Sequence, residues 1–430
     1  MPAIDFTKIG EGGGAFTQPL IHKNIAYFGA CDKYFYAVDT ETGEELWSIL
    51  TDGIIMSSAA LEDEVLYIGC FDNCLYAISL KEKEVLWKLR TDGIIVSSPV
   101  VKNNIIYFGS CDSYVYAVST KTQETLWKFR TENEVQGDVT IDGNACYFSS
   151  TDNYIYCLTL KGILVWKYRA GGEFLIGAPA ISDQVVYAAA SDGYLYALDK
   201  NTGELKWKFL SGGEAYNCIE VDEKNVYFGS RDRYLYALDK NTGELIWKFR
   251  ANQGMAVKPT ITDILYIGSD KLYALDKKGT VLWTHKTSET EDPLSFCRSP
   301  AIHNKKLYFT SFDGHLRCLD MDGSLIWAFK TKSSKTVKLS QGAITSMSWW
   351  TEKQFSVFEE EHSFAPAEPY PILTRYGTDA LTELEDTIEN KYIDIKNPYL
   401  KDKKYLEITS PYTEKKNTEN TNKWKKVFGI

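Results

Sequence analysis

Eight tryptophans, Trp47, Trp87, Trp127, Trp166, Trp207, Trp247, Trp283 and Trp327, recur at steps of 40, 40, 39, 41, 40, 36 and 44 residues. A period of this length marks a solenoid, a propeller or another array, in which each repeat is one supersecondary unit. The repeats share a frame, visible in AVDTETGEELW (37–47), ALDKNTGELKW (197–207) and ALDKNTGELIW (237–247).

Each repeat holds four short β-branched and aromatic segments bounded by turn residues. In the third repeat these are VSSPVV (96–101), IIYFGS (105–110), YVYAVS (114–119) and TLWKFR (125–130). Segments such as YLYALD (194–199) are apolar on both faces, the pattern of strands sandwiched between neighbouring sheets. The spacing therefore predicts an all-β fold, an eight-bladed β-propeller of four-stranded antiparallel blades, spanning residues 1–331. The first inner strand falls in FTQPLI (16–21) and the last outer strand in LIWAFK (325–330), so each blade is contiguous in sequence.

Two turn positions support the frame. The third-to-fourth turn opens with Asp39, Ser79, Ser119, Thr159, Asp199, Asp239, Asp276 and Asp320, short side-chain oxygens suited to turn N–H groups. Gly43, Gly203, Gly243, Gly279 and Gly323 follow, where a left-handed residue closes the hairpin. The second-to-third turn carries Asp32, Asp72, Asp112, Asp152, Asp192, Asp232, Asp270 and Asp313. These eight are expected to start tight turns, not to share a metal, because a propeller's radius holds them apart.

The frame A-x-D-x-x-T-G-x-x-x-W resembles the tryptophan-docking motif of pyrroloquinoline-quinone-type propellers over residues 13–331, fully at Trp47, Trp207 and Trp247. The resemblance implies that each tryptophan packs between blades over the small residue of the motif, here Ala37, Ala77, Ala117, Ala197, Ala237, Ala274, Cys157 or Cys318. Some members of that family are quinoprotein dehydrogenases. Others are cofactor-free scaffolds, such as the lipoprotein of the outer-membrane barrel-assembly machinery. This chain is similar to the second group: it has no vicinal cysteine pair, no C-x-x-C-H haem site and no long inter-blade insertion. No cofactor and no catalytic residue are expected. The H-E-x-x-H, G-x-S-x-G and P-loop motifs are absent too. The glycine-rich GEGGGAF (10–16) precedes no helical pattern and reads as a flexible entry.

Charge narrows the partners. Residues 331–430 balance 15 basic against 15 acidic side chains, so the whole net charge of −10 falls on the first 330 residues. An acidic body argues against nucleic acid and anionic membrane surfaces as partners. No window is apolar enough to span a membrane as a helix, and MPAIDFTKIGEGGGAF, with no basic stretch before an apolar one, is not expected to act as a secretory signal. Nine cysteines, odd in number, read as reduced thiols of a cytoplasmic protein; Cys70 and Cys74 match no strong zinc spacing.

Candidate binding residues come from departures within the repeat. In the register of Ser58 and Ser98 the other blades offer Gln18, Asp138, Cys218, Lys258 and Ser299. In the register of Ser57 and Ser97 they offer Asn217 and Arg298, with Tyr216 alongside. Asp138, Tyr216, Asn217, Lys258 and Arg298 are thus either solvated groups of a wet axial channel or contacts for a ligand or peptide. The channel is expected to open on the face shared by the fourth-to-first loops and the second-to-third turns.

After Thr331 the repeat stops. The extension 332–430 is expected to be mostly irregular, with Trp349 and Trp350 as docking anchors and one amphipathic helix over 378–392. It reads as a brace on the ring or as an arm for a partner. The function expected first is a non-catalytic scaffold that binds another protein. The alternatives are a quinoprotein-like dehydrogenase and a small-molecule or glycan sensor with its ligand in the channel.

Overall fold

The computed structural model of the chain describes residues 14–255, 257–287 and 298–333. The expectations for Trp349, Trp350 and the 378–392 helix lie outside the described residues.

Eight antiparallel sheets follow one another in sequence order. The blades cover 20–50, 60–90, 100–130, 140–169, 180–210, 215–250, 260–286 and 301–330. Within a blade the order is inner strand, two buried middle strands and outer strand, as in Val100–Lys102, Ile105–Ser110, Tyr114–Ser119 and Thr125–Arg130. The middle strands are buried on both faces, which explains their unbroken apolar runs. The outer strand alternates, exposing Leu126 while its tryptophan turns inward.

The inner strands are shorter than the sequence pattern predicts: Leu20–His22 instead of 16–21, Val100–Lys102 instead of 96–101. A proline precedes the strand in five blades (Pro19, Pro99, Pro179, Pro259 and Pro300), and proline has no N–H for a ladder. The residues just before it bond across to other blades instead.

The ring closes by repetition. Trp327 of blade eight donates its indole N–H to Thr40 O of blade one at 3.1 Å. Trp127, Trp166, Trp247 and Trp283 do the same to Leu160, Lys200, Lys277 and Met321, at 2.9–3.0 Å. The outer strand Leu325–Lys330 belongs to blade eight's own sequence, so each blade is contiguous as expected. Further closing bonds run from Ala15 N to Ser311 O (3.1 Å) and from Thr310 Oγ1 to Thr17 O (2.5 Å).

Each docking tryptophan lies opposite the motif's small residue in register, Trp47 with Ala37 and Trp166 with Cys157 among them. Its ring also meets a tyrosine of the second strand, as Trp247 meets Tyr227 with centroids 5.9 Å apart. The turn glycine of the next blade supplies the floor. A Cβ at Gly243 would come within 2.6 Å of Trp207 Cε3. The glycine is therefore needed for close approach as well as for its φ of +74°.

The turn aspartates behave as expected and do more. Asp112 Oδ1 accepts from Tyr114 N at 3.1 Å, and Asp112 Oδ2 accepts from the Tyr116 hydroxyl at 2.6 Å. The same Oδ2 takes Asp92 N of the preceding loop at 3.1 Å, tying blade three to blade two. Asp152 repeats all of these contacts with Tyr154, Tyr156 and Glu132.

Candidate functional site: an axial funnel

An apolar cluster gathers on the loop face. Phe16, Met56, Val96, Leu175, Tyr216, Met255 and Phe312 form one buried cluster, and they come from the approaches to, or turns of, seven blades. These apolar side chains, cheaper to bury than to solvate, stand at the end of the blades where the fourth-to-first loops enter, the face on which the sequence places the channel mouth.

Next along the chain comes a polar layer, held by a girdle of hydrogen bonds. Gln18 N donates to Ser58 Oγ (3.0 Å), Ser58 N to Ser98 Oγ (3.1 Å) and Ser98 N to Asp138 Oδ1 (2.6 Å). Asp138 N then donates to Gly177 O at 2.9 Å, and Gly177 and Ala178 pair in parallel with Asn217 and Cys218. Asp138 thus takes the same backbone donor that serine takes in the neighbouring blades. The forty-residue register, with an oxygen at the same place in each repeat, is the signal for this girdle. Reading the residues one blade at a time misses it.

Asn217 is fully buried and also spans blades. Thr17 and Ser57 bond the backbone of Gly29 and Gly69 within their own blades, at 2.7–3.1 Å. Blades four and five carry Gly137 and Gly177 in that register and have no hydroxyl to offer. Asn217 reaches over, its Oδ1 accepting from Ala189 N (3.1 Å) and its Nδ2 donating to Ser149 Oγ (3.2 Å). Tyr216 belongs to the apolar cluster, and burial pushes its hydroxyl up to about 12.

Against the cluster lies a cavity of about 300 Å³, lined among others by Ser58, Ser98, Asp138, Asn217, Lys258 and Arg298. A second, of about 340 Å³, shares Ala178 and Lys258 with it and continues along the inner strands to Asp142, Ile181 and Val221. Together they form a funnel that runs along the inner strands toward the first-to-second turns. Its outer wall is tied by ion pairs between blades. Lys200 reaches Asp142 at 2.8 Å, and in the same register Lys240 reaches Asp183 at 2.8 Å and Lys277 reaches Asp222 at 3.1 Å.

Of the predicted charges, Lys258 is exposed near the mouth and pairs with Glu220 at 2.8 Å. Arg298 lies deeper. Its Nε donates to Phe16 O at 3.0 Å, and its guanidinium stacks 4.1 Å from the centre of the Phe16 ring. Burial pulls it below the ordinary arginine value, against the attraction of Cys218 and Asp138. Burial raises the Asp138 carboxyl, outweighing the Ser98 hydrogen bond and the charges of Arg298 and Lys258. Burial also pushes the Cys218 thiol up to about 11, so it is no thiolate nucleophile at neutral pH. The funnel offers a carboxylate, a guanidinium and hydroxyls to a polar molecule.

No curated protein matches this chain. Among solved structures it is similar to the computationally designed Ika8 protein, at 17% identity and a TM-score of 0.61, covering 75% of this chain and 98% of that one. It is also similar to BamB from Moraxella catarrhalis, at 17% identity and a TM-score of 0.58, covering 71% of this chain and 94% of that one. Those likenesses establish the propeller. The family model described as outer membrane protein assembly factor BamB matches residues 32–134, 111–224 and 217–348, and the chain belongs to that family of PQQ-like repeat propellers.

Proposed function

We propose that this chain is a non-catalytic scaffold that binds another protein through its loop face. The observation that carries the reading is the construction of that face. An apolar cluster drawn from seven blades stands behind it, and Asp–Tyr pairs clamp its turns, as Asp152 clamps Tyr154 and Tyr156. A surface rigid before binding loses little conformational freedom on docking. Membership in a family described by an assembly factor supports the same reading. The eight cysteines among the described residues are all free, which suits a reducing compartment, and we place the scaffold there.

Affinity capture from the native host tests this, comparing the full chain with a variant carrying Asp92→Arg and Glu132→Arg, both exposed on the loop face. A stoichiometric partner kept by the full chain and lost by the folded variant is the expected result. A partner retained equally by both would move the docking surface elsewhere. Capture of no partner by the full chain would count against the scaffold.

A further inference from the structure

We propose that the axial funnel is a binding site for a small amphoteric molecule of the α-amino-acid type, with its carboxylate on Arg298 and its ammonium on Asp138. Arg298 does not serve the fold as its counterparts do. Thr17 and Ser57, in the same register, satisfy backbone groups of their own blades. Arg298 crosses to blade one, where Phe16 fixes it through Nε and through its ring face. Among the described residues no hydrogen-bond partner meets its two terminal nitrogens, and it lines the cavity. A fork held by its stem, with its end open, is built for a carboxylate.

Asp138 supplies the complement. It lines the same cavity, fixed by Ser98 N on Oδ1, and among the described residues no cationic side chain lies within 4 Å of it. Two opposite charges therefore face one cavity of about 300 Å³ without touching. Lys258 and Glu220, which also line the funnel, do pair, so the separation of Arg298 from Asp138 is particular to those two. Both side chains are half-buried, and charges partly withdrawn from water and left apart are costly unless something joins them. A simple anion would satisfy Arg298 and repel Asp138, and a simple cation would do the reverse. A zwitterion satisfies both. The cavity is at the small end of ligand pockets, which run from roughly 300 to 1,000 Å³. Met56, Val96 and Ile176 give it an apolar floor.

Titration calorimetry on the full chain tests the proposal, with the common α-amino acids as probes, each beside its N-acetyl derivative and its methyl ester. At least one free amino acid should bind at millimolar concentration or below. Acetylation and esterification should each weaken it by about tenfold or more, since each removes one charge-assisted contact. Arg298→Gln should abolish binding. Asp138→Asn should remove the preference for a free amine, so that the acetylated probe binds as well as the parent; this second variant decides the matter if the first fails to fold. Absence of heat with every amino acid would overturn the proposal. So would acetate or methylamine binding as tightly as the amino acid, or a folded Arg298→Gln chain that binds unchanged.

Discussion

Trp327 gives its indole N–H to the carbonyl of Thr40, 287 positions away, and its ring packs against Gly43 of the same turn. Trp247 makes the matching contact to Lys277 across only 30 positions. The closing interface is thus chemically equal to an internal one, although its chain-entropy cost differs.

That equality predicts the effect of Trp327→Ala. Because the ring is half-buried, the substitution should cost about 3 kcal/mol, the low end for aromatic truncations. It should also loosen the contact between the first and last blades before any other. Urea denaturation together with hydrogen exchange at Thr40 and Gly43 would show this. An unchanged midpoint would refute the docking role.

Trp207 differs from the five tryptophans whose indole N–H meets the next blade. Among the described residues its buried Nε1 has no partner, while the Tyr187 hydroxyl occupies Lys240 O at 2.8 Å. Trp207→Phe removes an unsatisfied donor, whereas Trp247→Phe breaks a 2.9 Å bond. The Trp207 variant should be less costly by about 1 kcal/mol, the net worth of a hydrogen bond. Equal denaturation midpoints for the two variants would contradict the difference.

The turn beneath the tryptophan offers a test in the stabilising direction. Blades two and three carry Lys83 (φ +58°) and Gln123 (φ +62°) where other blades have glycine. A left-handed backbone costs a non-glycine residue about 1–2 kcal/mol. Gln123→Gly should therefore raise stability by about 1 kcal/mol, part of the gain being offset by the looser unfolded chain. Gly243→Ala should do the reverse, because the new methyl would strike Trp207 as well as strain the turn. A Gln123→Gly chain that melts lower would refute the argument.

Period, turn aspartates and doubly apolar strands specify blade number and strand order from the sequence, because backbone geometry demands them in every repeat. Asp138 and Asn217 stand out as departures, yet both hold the girdle. A departure within a repeat does not say whether the neighbouring blade relies on it. Asn217 compensates for Gly137 and Gly177, in the same register of the two preceding repeats, a dependence visible only once blades four to six are side by side. The apolar cluster on the loop face is hidden from the sequence for a related reason. The chain direction identifies the two faces, but the cluster depends on Phe16, Met56, Val96 and Tyr216 coming from separate repeats.

Asp313 should govern part of the acid response. Its blade replaces the usual tyrosine with Arg317, and the two carboxylate oxygens meet that guanidinium. Burial raises Asp313, but the hydrogen bonds of His315 and Arg317 and the arginine's charge outweigh it, holding the carboxyl well below the usual carboxylate range. With the folded value below the unfolded one, the stabilisation is complete above the unfolded value, about 3.9, and is lost as pH falls toward the folded value. Arg317→Tyr, which installs the pair used by the other blades, should melt below wild type at neutral pH. The gap should narrow below about pH 4. A gap independent of pH would contradict this assignment.

Asp138 has the opposite sign. Its folded value is raised, chiefly by burial, so ionisation is disfavoured in the folded chain. Stability should be greatest below the unfolded carboxyl value and fall as pH rises through the folded one. Asp138→Asn keeps an oxygen for Ser98 N and removes the charge. The variant should therefore melt higher than wild type at neutral pH, with the gain shrinking as pH falls and the wild-type carboxyl takes up its proton. Thermal melts of both chains across that range would decide it. A variant less stable at neutral pH would show that the carboxylate is held by attraction to Arg298 and Lys258. A higher melting point for Asp138→Asn would mean that the native aspartate is retained at a cost to the fold, as expected of a residue kept for binding.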